Sequence, residues 1–273
     1  MKLIFALALV AAGLVAMLYF KPGKEAPSQH AISSLTADSV TKIEITQPEN
    51  KLVVLERRDG KWHTTSPIEA RADVAQVENV LALTSATSAV RYPPTDLARF
   101  DLDRPLIQIR LNDQEFSFGA VNPLSGEQYV ASGSHVYLVS PRFASAAQSE
   151  SWVSRKLLAE DEDPVRFEFP AFTAGETGDQ WSLGSEESSL SQEDFNLWLN
   201  RWRLANALSV APAIAESGTQ LKITLANGRV IPLLAVEKKD EFLLVRRDEK
   251  LQYAFSPSVG KPLIELPQAA KPK

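Results

Sequence analysis

The sequence contains no cysteine, which excludes disulfide bonds, thiol catalysis and cysteine-ligated metal sites. Histidine is nearly as scarce, because the chain has only His30, His63 and His135. None of the three lies in an H-E-x-x-H pair or beside a G-x-S-x-G elbow, and the chain has no phosphate-binding P-loop and no G-x-G-x-x-G motif. We therefore predict no catalytic residues, no metal site and no cofactor, and we expect a protein that is not an enzyme.

Positive charge is also in short supply, since the formal net charge is -5 at pH 7. Lys2, Lys21 and Lys24 lie beside the hydrophobic N-terminus, so the rest of the chain is more acidic than the total suggests. Proteins that bind nucleic acids gain most of their affinity from Lys and Arg on phosphates. The charge balance therefore argues against a nucleic-acid partner.

One long hydrophobic run is present, at residues 3–20, and it is just long enough to span a bilayer as a helix. We predict a transmembrane anchor over residues 1–20. A cleaved signal peptide is the main alternative, but residues 17–20 are bulky where a signal peptidase needs small side chains. A buried core helix is the third alternative, and the lack of any polar face at the extreme terminus argues against it.

After a polar tether at residues 21–37, the pattern predicts a first α+β repeat at 38–158. Asp59-Gly60 between two alternating runs predicts a β-hairpin, with Trp62 just after the turn. Asp73 can cap a helix in which Val74, Val77 and Leu81 recur at helical spacing. Residues 100–141 then read as an antiparallel meander of four short strands, because period-two runs alternate with turn residues.

The meander pattern occurs a second time, at residues 221–257, which indicates an internal duplication. Tyr137 corresponds to Tyr253, and the pair Ser140-Pro141 to Ser256-Pro257. We therefore predict an α+β fold of two tandem repeats, each a mostly antiparallel sheet with one packed helix, after an N-terminal transmembrane helix. The remaining boundaries are an acidic linker at 159–164, a second repeat at 165–266 and a disordered tail at 267–273.

The linker contains four adjacent carboxylates at residues 160–163, which we expect to repel one another and to stay solvated. A calcium site is the alternative, but such a site needs ligands spaced along a looped backbone with a turn-forming glycine.

The predicted helix of the second repeat has an aromatic stripe. Its members recur at helical spacing, and they are Phe195, Trp198, Leu199, Trp202 and Ala205. The favoured interpretation is a face buried against a sheet, and the alternative is a sugar-binding surface. The edges of the two meanders offer another use, as platforms that pair with a partner's strand.

The first repeat resembles a bacterial envelope family known as domain of unknown function 4340. The residues that carry the resemblance are Trp62, the turn Phe100-Asp101-Leu102-Asp103-Arg104-Pro105, Phe118-Gly119, Tyr129-Val130 and Val136-Tyr137. Asp101 replaces the glycine that is usual in this turn, and aspartate is one of the few residues that tolerate a left-handed backbone. The resemblance covers residues 35–158 and extends to the second half only through the repeat.

The resemblance implies a membrane-anchored extracytoplasmic protein, with relatives associated with ABC-type transport or gliding-motility auxiliary components. We therefore expect a single-pass protein of the bacterial inner membrane, with its globular part in the periplasm, that acts as a binding or scaffold protein for an envelope partner. The alternatives are an envelope enzyme and a carrier for a lipid or glycan.

Overall fold

The computed structural model describes residues 28–178, 180–184, 190–215 and 217–265. The predicted anchor at 1–20, the first part of the predicted tether and the predicted tail at 267–273 lie outside the described residues. Within the described ranges, no helix combines the length and the apolar character that crossing a membrane requires.

The described residues form many short strands and a few short helices. The strands, in chain order, are β1 (His30–Ala31), β2 (Lys42–Gln47), β3 (Lys51–Arg58), β4 (Lys61–Ser66), β5 (Ala70–Arg71), β6 (Thr87–Ser88), β7 (Arg91–Tyr92), β8 (Ile107–Leu111), β9 (Gln114–Val121), β10 (Gln128–Ser132), β11 (His135–Val139), β12 (Pro164–Glu168), β13 (Thr173–Thr177), β14 (Gln180–Leu183), β15 (Ser209–Pro212), β16 (Thr219–Leu225), β17 (Val230–Glu237), β18 (Phe242–Arg246) and β19 (Leu251–Phe255). The α-helices are α1 (Val74–Leu81), α2 (Arg142–Ala146), α3 (Gln192–Arg203) and α4 (Pro257–Ile264), and short 3-10 helices lie at Ala37–Ser39, Pro48–Asn50, Ala82–Ser85 and Leu97–Phe100.

The chain divides into two compact units that are interleaved in sequence. The first unit comprises residues 1–51 and 79–148, and the second comprises 52–78 and 149–273. The segment 52–78, which contains the Asp59-Gly60 hairpin, therefore belongs with the C-terminal half of the chain. The compact units thus follow boundaries different from those of the predicted repeats.

In the first unit, six strands lie side by side in the order β2-β8-β9-β10-β11-β7. Neighbours β8, β9, β10 and β11 are antiparallel, which confirms the predicted meander. One face of these strands is buried, because Ile107, Ile109 and Leu111 alternate with more exposed residues along β8, and Phe116 and Phe118 alternate in the same way along β9. This two-residue period is the pattern of a strand with one face on the core.

The N-terminal part of the first unit is held from His30 onward by a separate two-stranded sheet and by a side-chain hydrogen bond to β9. Strand β1 pairs with β6, and Ile32 is buried. The hydroxyl of Ser33 donates to Oε1 of Gln114, at 2.9 Å, at the start of β9. Residues 30–33 are thus held by pairing and side-chain hydrogen bonds, although the sequence predicts a polar tether there.

In the second unit, eight strands lie in the order β14-β13-β12-β16-β17-β18-β19-β15, and all neighbours are antiparallel. The hairpin of β3 and β4, with β5 beside β4, belongs to the same unit. The predicted hairpin is confirmed, and Asp59 and Gly60 both have positive φ, of 49° and 80°, as a type I′ turn requires.

Helix α3 supplies the aromatic centre of the second unit's core. Phe195, Trp198 and Trp202 are fully buried, and the ring of Phe167 in β12 lies 4.6 Å from that of Trp198. The core also contains Ala70 from the 52–78 segment, and partly buried Ile68 packs against it. Trp62 and Trp181 are both buried.

Helix α1 begins where the sequence predicts, because Oδ1 of Asp73 accepts hydrogen bonds from the N–H groups of Ala75 and Gln76. Val77 and Leu81 are buried, but Val74 is exposed. Val74 shares the helical spacing of Val77 and Leu81 but is the first residue of a helix of only two turns, and its side chain is exposed to solvent.

The fold is therefore α+β, with mostly antiparallel sheets and a few short helices. The order β2-β8-β9-β10-β11-β7 matches β12-β16-β17-β18-β19-β15 in its connections. In each case a hairpin and a helix follow the first strand, and the strand at the far edge precedes the meander in sequence.

Candidate functional site

The most distinctive surface of the second unit is the segment of residues 204–215, which we call the apolar edge. This segment contains no charged residue, although 23% of the chain is charged. Leu204, Leu208 and Ile214 expose 78%, 69% and 78% of their surface. Isolated exposed apolar residues are ordinary, but several close together along one segment are typical of an interaction surface.

Helix α3 sets the start of the apolar edge. Its N-terminus is capped by Ser191, whose Oγ accepts from the N–H of Asp194 while the Asp194 carboxylate accepts from the N–H of Ser191. Trp198 and Trp202 fix the inner face of the helix, with ring centroids 6.2 Å apart in an edge-to-face arrangement. The N–H of Leu204 then closes the last turn on the carbonyl of Asn200, at 2.9 Å. Leu204 therefore leaves the helix in a defined position.

Strand β15 forms the middle of the apolar edge and lies at the margin of the sheet. Its one described partner is β19, with Val210 opposite Tyr253. The pairing is extended by hydrogen bonds from the N–H of Leu208 to Ala254 and from the N–H of Ala213 to Lys250. Pro212, which lacks an N–H group, occupies a position that is tolerated at a sheet margin.

Edge strands in natural proteins are usually blunted by charge, by proline or by a covering segment. Of these protections, the described part of β15 and its flanks carries the proline but no charge. Backbone groups at such a margin can pair with an additional strand, and Leu208 and Ile214 can supply apolar contacts for its side chains. The arrangement is therefore suited to binding an extended peptide segment rather than to chemistry on a substrate.

Strand β19, the neighbour of β15 in the sheet, is held by a buried polar cluster at Tyr253. The Tyr253 hydroxyl donates to Oε2 of Glu249 at 2.6 Å and accepts from Nη2 of Arg71 at 2.9 Å. Nε of Arg71 also donates to Glu249, at 2.7 Å. Burial raises the pKa of Tyr253 well above its ordinary value, so the phenol stays protonated at neutral pH.

The same cluster continues through Arg246, which is 1% exposed. Nη1 and Nη2 of Arg246 bind the two carboxylate oxygens of Glu162 at 2.7 and 2.9 Å, and Nη1 also donates to the carbonyl of Leu157 at 2.9 Å. Nη2 and Nε of Arg246 bind Asp248, and Arg229 pairs with Glu162 from the other side. The charges are thus paired and bidentate, as burial of an arginine requires.

The acidic segment at residues 160–163 differs in part from its prediction as a solvated run. Glu160, Asp161 and Asp163 are exposed, but Glu162 is buried against Arg246. The hydrogen bond from Lys61 lowers the pKa of the Asp161 carboxyl. The expectation of four solvated carboxylates is therefore wrong at Glu162, because two arginines compensate its charge.

The histidines considered as catalytic candidates lie in different places. His30 and His135 belong to the first unit and His63 to the second. Nδ1 of His135 lies 3.1 Å from the Ser134 hydroxyl, and Nδ1 of His63 lies 3.3 Å from the carbonyl of Lys61. In the part of the chain that the structure describes, no group of three or more His, Asp or Glu side chains could hold a metal ion.

The aromatic stripe of helix α3 is buried, as the favoured interpretation predicts, and its tryptophans do not form a sugar-binding surface. Sequence reasoning missed the apolar edge that follows this helix. The available signal was the absence of charge over residues 204–215 together with alternating Leu208, Val210 and Ile214. Sequence reasoning also missed Arg246, because no local pattern pairs an arginine with a glutamate so far away in the chain.

The strand orders define an α+β protein built of antiparallel meanders, and the second unit combines a buried polar cluster with an apolar edge. The family described as Domain of unknown function (DUF4340) matches residues 62–223, which is more than half of the chain. The chain belongs to this family. No match was found among curated proteins or among solved structures.

Proposed function

We propose that the protein is a membrane-anchored, extracytoplasmic binding or scaffold protein of the bacterial envelope, and that it serves as an auxiliary component of an ABC-type transport system. The apolar run at residues 3–20 supports the anchor, and the family resemblance supports the envelope location. The partner is a protein that contributes an extended, apolar segment to the second unit.

The apolar edge is the observation that carries this proposal. Strand β15 lies at a sheet margin between exposed Leu208 and Ile214, and residues 204–215 include no charged side chain. A partner strand that pairs there gains main-chain hydrogen bonds, while the apolar side chains supply most of the favourable burial. The buried polar cluster at Tyr253 and Arg246 holds β19, and with it β15, in place before the partner binds.

Site-specific crosslinking tests the binding surface. A photoreactive amino acid at position 208 or 214 of the full chain is expected to capture one protein species in intact cells. The same residue at position 230 is the matched control, because Val230 is an exposed apolar residue of the same unit that lies within the sheet. Equal capture at all three positions, or none at 208 and 214, would contradict the proposal.

The location is tested separately. A reporter that is active only in the periplasm, fused after Lys273, is expected to be active. Activity of a cytoplasm-only reporter at the same position would rule out the proposed location. A mature chain that begins beyond Phe20 would show a cleaved signal peptide instead of an anchor.

We also infer that the two repeats descend from one duplicated unit. The support is the matching strand order around each meander, with the preceding helix and the edge strand in corresponding places. An experimental structure in which β8–β11 and β16–β19 superpose strand for strand, with α1 falling on α3, is the expected result. Different strand orders would contradict the duplication.

A further inference from the structure

The first unit has an apolar surface of its own, formed by Leu106, Val121 and Leu124, which we call the meander tip. These side chains expose 74%, 51% and 96% of their surface. They lie at one end of the meander, because Ile107 pairs with Phe118 and Gln128 pairs with Val121. Leu124 occupies the loop between β9 and β10.

The loop that carries Leu124 is well ordered by its own hydrogen bonds. Oδ1 of Asn122 accepts from the N–H of Leu124 at 2.9 Å, and the N–H of Gly126 donates to the carbonyl of Asn122 at 2.8 Å. Nδ2 of Asn122 donates to the hydroxyl of Tyr129 at 3.0 Å. The loop therefore presents Leu124 in a fixed position, as a binding surface requires.

Behind the tip lies a row of half-buried aromatic rings. The ring of Phe100 lies 4.6 Å from that of Tyr129 and 6.1 Å from that of Tyr92, and Arg99 lies over Phe100 at 5.8 Å. Leucine at the tip, with tyrosine and arginine just behind it, follows the order of side chains at a membrane interface.

The course of the N-terminal segment points to the same end of the sheet. Ser33 is tied to Gln114 at the start of β9, which is the end opposite the tip. His30 pairs with Ser88, whose hydroxyl accepts from the N–H of Leu138, and Leu138 lies opposite Tyr129 near the tip. Followed backward from Ser33 to His30, the chain therefore runs toward the tip.

The predicted anchor ends only a short way before His30 in the sequence. Ten residue steps separate Phe20 from His30, and an extended chain of that length spans at most about 35 Å. The segment between the predicted anchor and His30 is therefore short, and the described residues that follow it are oriented so that His30 lies on the tip side of Ser33.

We propose that the meander tip rests on the lipid bilayer beside the anchor, with Leu106, Val121 and Leu124 in the boundary between headgroups and acyl chains. This inference rests on the proposed membrane anchor. The exposed charges nearby balance, since Arg99 and Arg104 accompany Asp101 and Asp103. The contact is therefore with lipid of any headgroup charge, and it depends little on salt.

The absence of cysteine makes a direct test available. The full chain carrying Leu124→Cys, labelled with an environment-sensitive fluorophore, is reconstituted in phosphatidylcholine vesicles. The matched control is Asp113→Cys, because Asp113 is exposed in the turn between β8 and β9 at the opposite end of the meander. Lipids with a spin label at a shallow acyl position are expected to remove most of the emission at 124 and to leave that at 113 unchanged.

Vesicle flotation separates the failure of this inference from the failure of the anchor. If the chain floats and both labels remain in water, or both are quenched equally, the bilayer contact is overturned while the anchor stands. If the chain does not float, the anchor and the contact both fail. A label at 124 that is in water in vesicles but protected in native membranes would identify a protein partner, which also overturns the lipid contact.

Discussion

At the scale of single residues, the pair Glu162–Arg246 is the most consequential contact of the second unit. Glu162→Ala removes one of the two carboxylates that bind the buried Arg246 guanidinium through both oxygens, the other being Asp248. Loss of one partner of a buried pair costs up to about 3–5 kcal/mol. We expect this loss in the free energy of unfolding, measured by urea titration.

Two variants sharpen that measurement. Glu160→Ala is the control, because Glu160 is exposed and its pair with Lys156 lies at the surface, so little change is expected. The double variant E162L/R246M, which removes both charges together, should recover much of the lost stability. Equal losses for Glu162→Ala and Glu160→Ala would show that the pair contributes nothing.

Tyr253 makes the free energy of unfolding depend on pH in the alkaline range. Its pKa in the folded state lies above the value of about 10 for an unfolded chain. The folded state therefore holds the phenolic proton more tightly, so the stabilisation is complete below pH 10 and is lost as the pH rises toward the folded-state pKa.

Tyr253→Phe tests this dependence. Loss of the hydrogen bond to Glu249 should destabilise the variant at neutral pH by about 1.5–3 kcal/mol, since the acceptor is charged. The difference in unfolding free energy between wild type and variant should shrink above pH 10, because only the wild type still has this group to titrate. If the difference in unfolding free energy stays constant from pH 7 to pH 11, the pKa of Tyr253 is not raised in the folded state.

At the scale of elements, the turn at residues 100–105 packs onto β9 at Gly119. A Cβ atom at this position would lie 2.1 Å from the carbonyl oxygen of Phe100 and 2.9 Å from Leu102. Gly119→Ala should therefore force the turn off the strand and lower the melting temperature by several degrees.

Gly175→Ala provides the matched control for that change. Gly175 also lies in a strand, β13, but a Cβ atom there would lie 3.9 Å from its nearest neighbour, the Cγ atom of Arg166. Thermal unfolding of the two variants should differ clearly. Similar melting temperatures would show that the turn at residues 100–105 can move away from Gly119 without loss of stability.

Much of the element structure follows from the sequence alone. Period-two runs identify the strands of both meanders, and Ser191 and Asp194 mark the start of α3 by their capping box. Asp101 keeps the left-handed backbone expected at the position of a usual glycine, with φ of 55°. These features are local, so a window of a few residues contains their cause.

Contacts between distant segments do not follow from the sequence in this way. The pairing of Arg71 with Glu249 and of Arg246 with Glu162 depends on how the strands are arranged. The apolar edge does not follow from the sequence either. Leu204 and Ile214 are apolar, as buried residues are, but they are exposed because β15 lies at the margin of the sheet. The apolar edge therefore becomes visible only when the strand order is known.

At the scale of the whole molecule, the interleaved units predict how a fragment will behave. Arg71 is held by Glu249, Tyr253 and the carbonyl of Lys156, all of which lie beyond residue 148. A fragment of residues 28–148 lacks these partners, so trypsin should cleave after Arg71 in the fragment and spare that bond in the full chain. Rapid cleavage after Arg71 in both the fragment and the full chain would show that these contacts do not protect Arg71.

The interleaving also has a consequence for the newly made chain. Residues 52–78 are synthesised early, but the unit to which they belong is complete only when β19 has been made. At the usual rate of translation this interval is on the order of 10–40 s. Throughout that time Ile68 and Ala70 have no finished core to enter, so an unfinished chain has an exposed apolar segment that a holding chaperone can recognise.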